Sequence, residues 1–333
     1  MTTTKRSPNR HHCVAILLAV GSAAFGVQPA MAQAKYPDRP VRLVVPFPPG
    51  GTSDISARVL AEALAKELGQ PVVVENKAGA GGSVGARYVA EAKPDGYTLL
   101  LGTTSTNGTN SAVYKNLPFD AVKSFTPITR ILTVPGALSV NKKFPAANYQ
   151  EFAALVKTSP GKFSYASSGN GGATHLAMEY YKTLSGMRVV HIPYRGTGPA
   201  LNDVIAGQVD MIYDTLASSM PHIKSGAIVP MAIASPARLK ELPNVPTFAE
   251  LGLPRANEGF WNGVLAPAGL PPEVLKPLHS AIVAALKTPL VREKFAAAGA
   301  LPVSDTPEAF TKIIADDVEK WSTLARNGGI TAE

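Results

Sequence analysis

Residues 41–69 read VRLVVPFPPGGTSDISARVLAEALAKELG, and this stretch decides the fold class. VRLVVP (41–46) is a short apolar run fit for a buried strand. The Gly/Pro loop Phe47-Pro48-Pro49-Gly50-Gly51-Thr52-Ser53 follows. Apolar residues then recur at Ile55, Val59, Leu60, Ala63, Leu64 and Leu68, which is helical spacing, and Gly69 is a fitting stop. A strand, a glycine-rich loop and a helix in that order open an α/β unit.

Working outward, the alternation continues. Val72-Val73-Val74 predict a second strand, Gly82 to Ala92 a second helix ended by the turn Pro94-Asp95-Gly96, and YTLLL (97–101) a third strand. Strands alternating with helices build a parallel sheet covered by helices. The middle of the chain repeats the pattern, with strands at 137–140, 163–166, 189–192, 211–213 and 229–234 and helices at 149–157, 174–184 and 199–206. The C-terminal stretch holds two amphipathic helices, one marked by Val274, Leu275, Leu278, Ile282, Val283 and Leu286, the other by Phe310, Ile313, Ile314, Trp321 and Leu324. No strand is read between them, so they need an existing sheet to pack on, and the economical solution returns the chain to its first domain. We therefore expect two α/β domains joined by two crossings, residues 33–133 with 256–333 forming one and residues 134–255 the other.

Composition fits that organisation. A chain of 333 residues is long enough for about two domains of roughly 150 residues. Hydrophobic residues at 45% and charged residues at 17% exclude a disordered chain. One cysteine, Cys13, excludes a disulfide scaffold.

The N-terminus reads as a leader. Lys5, Arg6 and Arg10 precede CVAILLAVGSAAFGV (13–27), and Ala30-Met31-Ala32 is an A-x-A site. This is the pattern of a secretory signal peptide cleaved after Ala32, and the apolar run is shorter than the roughly 20 residues that span a bilayer. The expected product is an exported periplasmic protein starting at Gln33. Three of the 32 Lys+Arg lie in the leader, leaving a modest excess of five over the 24 Asp+Glu. Such a charge favours small anions or aids solubility. No dense Lys/Arg run is interleaved with aromatics, so no nucleic-acid partner is expected.

Two loops carry the candidate site. Phe47–Asp54 sits between a strand and a helix, at the carboxyl edge of the sheet where ligands bind. Gly50 and Gly51 let backbone approach a ligand, and Thr52, Ser53 and Asp54 supply hydroxyls and a carboxylate, although Ser53 or Asp54 could simply cap the helix. Ser167–His175, SSGNGGATH, repeats the arrangement in the second domain. A helix start of this kind offers unpaired N–H groups and a positive dipole end to an anion. Ser168 and Thr174 add hydroxyls, and His175 either donates to a carboxylate or packs. Asp214, read as ending a strand and lying in a loop, can face a cleft. Arg195 pairs an acid or stays solvated. GAGGSVG (79–85) lacks dinucleotide-binding spacing and reads as a turn opening a helix. The isolated His175, His191, His222 and His279 form no metal set, and neither a G-x-S-x-G nor a Walker A sequence is present. No metal and no cofactor are expected.

The order of YPDRPVRLVVPFPPGGTSD, VVVENKAGAGGSVGA, DGYTLLLGT, SYASSGNGGATHLAMEYY, VVHIPYRGTGPALNDVIAGQVDM and FWNGVLAPAGLP resembles the Bug family, the substrate-binding proteins of tripartite tricarboxylate transporters. The resemblance covers nearly all of the chain after the leader. It implies a periplasmic binding protein of the type II fold, with two domains and a hinged ligand cleft. It also implies a small organic acid as ligand (a di- or tricarboxylate, an amino acid, a nicotinate-like compound or an aromatic acid) and the membrane components of the transporter as partners, with the protein itself a monomer. The family's two ligand loops map onto Phe47–Asp54 and Ser167–His175, where ordered waters bridge to a ligand carboxylate, and Asp214 matches a cleft carboxylate.

The mechanism expected from these loops is closure. One domain would offer Gly51, Thr52 and Ser53, the other Ser168, Gly169, Gly172, Ala173 and Thr174. A carboxylate meeting both favours the closed state. Phe47, Thr103, Thr104 and Asp214 would select among acids. Two rivals stay open: an exported hydrolase using Ser168, His175 and Asp214, and a ligand sensor for a signalling partner.

Overall fold

The computed structural model describes residues 36–257 and 259–331; the expected leader and its cleavage site lie outside them. The elements follow in chain order. The first group is β1 (Val41–Val45), α1 (Thr52–Leu68), β2 (Val72–Asn76), α2 (Ser83–Ala90), β3 (Thr98–Thr103), α3 (Asn110–Val113) and β4 (Phe125–Val134). The second is β5 (Gly136–Asn141), α4 (Tyr149–Thr158), β6 (Ser164–Ser167), α5 (Ala173–Ser185), β7 (Val190–Pro193), α6 (Thr197–Ala206), β8 (Met211–Thr215), α7 (Leu216–Lys224) and β9 (Ile228–Ala234). The chain closes with β10 (Phe260–Pro267), α8 (Pro272–Lys287), α9 (Pro289–Ala297), β11 (Leu301–Pro302) and α10 (Pro307–Gly328).

The strands form two sheets, ordered β11-β4-β10-β3-β1-β2 and β7-β6-β8-β5-β9. Both are mixed, which corrects the purely parallel expectation. In the first, β1 runs parallel to β2 and β3, while β10 is antiparallel to β3 and β4. In the second, β6 runs parallel to β7 and β8, while β5 is antiparallel to β8 and β9. The same device appears twice: a strand arriving from the other sheet slots between the third and fourth strands of its host. Pro135 alone separates β4 from β5, so the chain passes from one sheet to the other without a loop. Gly136 opens β5 against the ring of Tyr213, where a Cβ would come within 2.6 Å of the phenol oxygen.

Local chemistry explains the elements. Gly69 takes φ 66° and ends α1 by donating to Ala65 O. Asn148 caps α4 by accepting from Glu151 N–H, and Thr306 caps α10 by accepting from Ala309 N–H. Leu60 and Leu64 of α1 are buried with Leu43 and Leu99 beneath them and with Leu278 and Ile282 of α8. Tyr165, Phe152, Tyr181 and Phe248 fill the second sheet's core. Each such side chain contributes about 1.5–3 kcal/mol by leaving water. The C-terminal helices do pack on the first sheet: α8 lies on α1, and α10 lies on β4 and also reaches α5. The short strand β11 sits between them and pairs with β4, where none was read from sequence.

Candidate ligand-binding site

The carboxyl ends of β1, β3, β6 and β8 bring their loops to one place between the sheets. The cavity there holds about 50 Å³, room for roughly three or four waters. Its walls include nine of the residues singled out from sequence: Phe47, Gly51, Thr52, Ser53, Thr103, Thr104, Ser168, Ala173 and Thr174. Ser105, Thr197, Thr215, Phe260, Trp261 and Asn262 complete it. Thr197 and Thr215 were within reach of sequence reasoning, since Thr197 opens a helix soon after a strand and Thr215 ends a strand just before a helix. Phe260, Trp261 and Asn262 were not, because they belong to the returning strand β10.

No charged side chain lines this cavity. What it offers an anion is hydroxyls and the starts of two helices. α1 begins at Thr52 with Gly51 as its cap, and α5 begins at Ala173 with Gly172 as its cap; neither cap residue supplies a side-chain bond. The first-turn N–H groups of a helix have no acceptor within the helix, and both dipoles present their positive ends here.

The two loops are held by their own hydrogen bonds. Ser168 N–H donates to Thr174 Oγ1 at 3.0 Å, and the two hydroxyls lie 2.9 Å apart. Gly172 N–H donates to Gly169 O at 3.1 Å, closing the turn before α5. Across the sheets, Ala173 N–H donates to Ser105 Oγ at 2.8 Å, Thr109 Oγ1 to Gly171 O at 2.7 Å, and Tyr114 OH to Asn170 O at 2.6 Å. The hydroxyls of Thr52 and Thr215 also share a hydrogen bond between the sheets.

Five expected site residues do not line this cavity. Asp54 turns back on its own loop and helix, accepting from Gly50 N–H, Arg58 and Asn76 at 2.9–3.1 Å. Burial alone would raise its pKa, but these bonds and the Arg58 charge hold it below the ordinary carboxylate value. Asp214 is not in a loop. It lies within β8, completely buried, and accepts from Ser218 and Ser219 in the first turn of α7. Burial pushes its pKa up to about 6 against the pull of those hydroxyls. Its route to the cavity is through its neighbour Thr215.

His175 is also a packing residue. Its Nδ1 accepts from Gly171 N–H at 3.1 Å, and its ring stacks on His191 with centroids 4.1 Å apart. Gly172 stands just behind the cavity wall, where a Cβ would meet Ser168 Oγ at 2.7 Å. Gly169 lines a neighbouring cavity instead.

The hydrolase geometry expected from Ser168, His175 and Asp214 is absent among the described residues, because Ser168 bonds Thr174 while His175 bonds Gly171. The serine–histidine pair that does form, Ser167 Oγ with His191 Nε2 at 2.7 Å, has a fully buried hydroxyl. Desolvation, with the nearby His175 and Lys182 charges, lowers the His191 pKa to about 3, so it is a weak base. No cluster of three or more His, Cys, Asp or Glu able to hold a metal occurs among the described residues.

Two α/β halves meeting at hydroxyl-lined helix starts is the geometry of a solute receptor, and the comparisons agree. A family model described as "Tripartite tricarboxylate transporter family receptor" matches residues 56–330. The chain belongs to this receptor family. Protein BugT of Bordetella pertussis is 36% identical over 314 residues, covering 94% of this chain and 96% of that protein. The structure of the periplasmic binding protein BugD superposes with a TM-score of 0.86 at 38% identity, covering 89% of this chain and 99% of that one. The R. palustris protein Rpa4515, solved with adipate, gives a TM-score of 0.86 at 34% identity, covering 89% and 99%. The fold is thus that of the Bug and tripartite tricarboxylate receptor proteins; the family model is described as a receptor and BugD as a periplasmic binding protein.

Proposed function

We propose that this protein is exported to the periplasm, binds a small organic carboxylate between its two sheets and delivers it to the membrane components of a tripartite tricarboxylate-type transporter. The observation that carries the reading is the convergence of the α1 and α5 starts, one from each sheet, on a single cavity without charged walls. A carboxylate there accepts from Thr52 and Ser53 on one side and from Thr174 and the Ser168 hydroxyl on the other. Burying its charge is tolerable because N–H donors and two helix dipoles replace water. The adipate held by the related R. palustris protein is an acid of this kind.

In this reading residues 33–133 with 256–333 are one domain, residues 134–255 the other, and Pro135 and the segment before β10 are the hinges. The ligand favours closure because only the closed form satisfies it from both sides. The test is a thermal-shift panel of organic acids followed by calorimetry on the hits. At least one small carboxylate should bind at micromolar concentration or better, with neutral amide analogues failing. A panel in which only uncharged solutes bind would overturn the reading.

A further inference from the structure

The chain crosses between the sheets at Pro135 and again in the segment before β10, and both crossings border one cavity of about 450 Å³. This cavity shares no wall residue with the one between the α1 and α5 starts. Val134 brings the end of β4 to it, Ser235 follows β9, Asn257 and Gly259 precede β10, and Ala300 follows α9. Its walls therefore come from both sheets and from both connections between them. Its volume lies in the range of roughly 300–1,000 Å³ that small-molecule sites occupy.

Most of the wall is apolar, including Pro135, Pro236, Leu239 and Leu301, and Leu301 is 65% exposed. Two polar groups stand out, and both accept hydrogen bonds. Glu241 is the charged residue of the wall, no Lys, Arg or His lines the cavity, and the carboxylate forms no ion pair among the described residues. Asn257 Oδ1 is buried without a hydrogen-bond partner, which is costly unless something donates to it. The end of α9 adds a third attraction for positive charge, since a helix C-terminus favours cations. One ammonium is already drawn there from the other half: Lys224 of α7 donates from Nζ to Ala297 O at 3.3 Å.

We propose that this hinge cavity binds a small apolar amine as its ammonium ion, and that its occupancy changes the affinity of the cleft for a carboxylate. The apolar body lies against the proline and leucine walls, while the ammonium pairs with Glu241 and donates to Asn257 Oδ1. The coupling follows from the position of the site. Rotation of one sheet against the other at Pro135 and Asn257–Gly259 reshapes this cavity as it closes the cleft. An amine that fits one form better shifts the population toward it, and the carboxylate must change the amine's affinity by the same factor. The coupling rests on the closure reading above; the site itself does not.

The experiment uses benzylamine and cyclohexylmethylamine, with benzyl alcohol and cyclohexylmethanol as uncharged matches of the same shape. Binding is measured by calorimetry and ligand-observed NMR on the wild type, Glu241→Gln and Ala296→Phe. Glu241 and Ala296 are exposed and line the cavity, so both variants should fold, with circular dichroism as control. The expected result is one amine bound at least about ten-fold more tightly than its alcohol, because the ion pair is a charge-assisted bond. E241Q should bring the amine to the alcohol's level and leave the alcohol unchanged, whereas A296F, which fills the space, should weaken both. Equal binding of amine and alcohol, or an amine insensitive to E241Q, would overturn the site. Titrating a carboxylate that binds the cleft, with and without saturating amine, should then change its affinity by at least roughly five-fold. An unchanged carboxylate affinity would overturn the coupling. Amine binding sensitive to E241Q, in a protein that binds no carboxylate, would support the site and defeat the carboxylate reading.

Discussion

The backbone N–H of Ala173 donates to the hydroxyl of Ser105 at 2.8 Å, joining residues 68 positions apart, one at the start of α5 and the other just after β3 of the opposite sheet. The first N–H of α5, which no helix satisfies internally, is therefore held by a hydroxyl from the opposite half of the cleft. Thr109 and Tyr114 grip the carbonyls of Gly171 and Asn170 from the same side. The turn before α5 is thus clasped on both its donor and its acceptor faces.

Ser105→Ala should weaken ligand binding about five- to ten-fold, because a bond worth about 1 kcal/mol exists only when the halves meet. Solution scattering of the ligand-free variant should show a larger radius of gyration than the wild type. Unchanged affinity together with an unchanged radius would mean that this bond has no part in closure.

Gly198→Ala should do more. A Cβ there would stand 2.7 Å from Pro49 O, a backbone atom in the opposing loop, and backbone cannot yield as a side-chain tip can. We expect at least a ten-fold loss of affinity, with a melting temperature within a few degrees of the wild type. Full affinity in calorimetry would show that the Pro49 loop and the start of α6 can separate without cost to the site.

Asp214 makes stability depend on pH in a direction opposite to the usual carboxylate. Its folded pKa, about 6, exceeds its ordinary 3.8, so the folded state holds the proton more tightly than the unfolded chain. The contribution of Asp214 to stability is fully present below about pH 4 and is lost as pH rises through about 6. Asp214→Asn removes this loss, worth at most roughly 3 kcal/mol. Denaturant melts of both proteins should diverge in favour of the variant across that window. A constant difference would place the carboxyl in a wetter setting than its burial indicates.

The stacked histidines pull the other way. Burial, first of all, lowers the pKa of both His175 and His191, the latter to about 3. The folded state prefers them neutral, so their contribution is fully present above the ordinary 6.5 and is lost as pH falls from there toward 3. His191→Asn should flatten the acid limb of the stability curve between pH 6.5 and 4, with His175 leaving a residual slope. An identical acid limb in wild type and variant would contradict this assignment.

Much of the α/β order was legible in local pattern. The helix after Ile55 and its stop at Gly69 follow from spacing and from a glycine's freedom to take φ 66°. The two loops that line the cavity were legible as well, since a strand followed by small residues and a helix start is a local signal. Asp214 misled for a reason that is also physical: a carboxylate near a strand end reads the same whether it faces a cleft or caps the next helix through Ser218 and Ser219.

By itself, then, the sequence determined the alternation of strands and helices, the turn residues between them and the two hydroxyl-rich helix starts, all properties of neighbours along the chain. Only the tertiary structure decided that β5 and β10 run antiparallel inside their host sheets, that Phe260, Trp261 and Asn262 wall the cavity, and that Ser105 meets Ala173. These depend on which strand returns to which sheet and in what register. Residues far apart in the chain settle that by burying a common core, so no local window contains it.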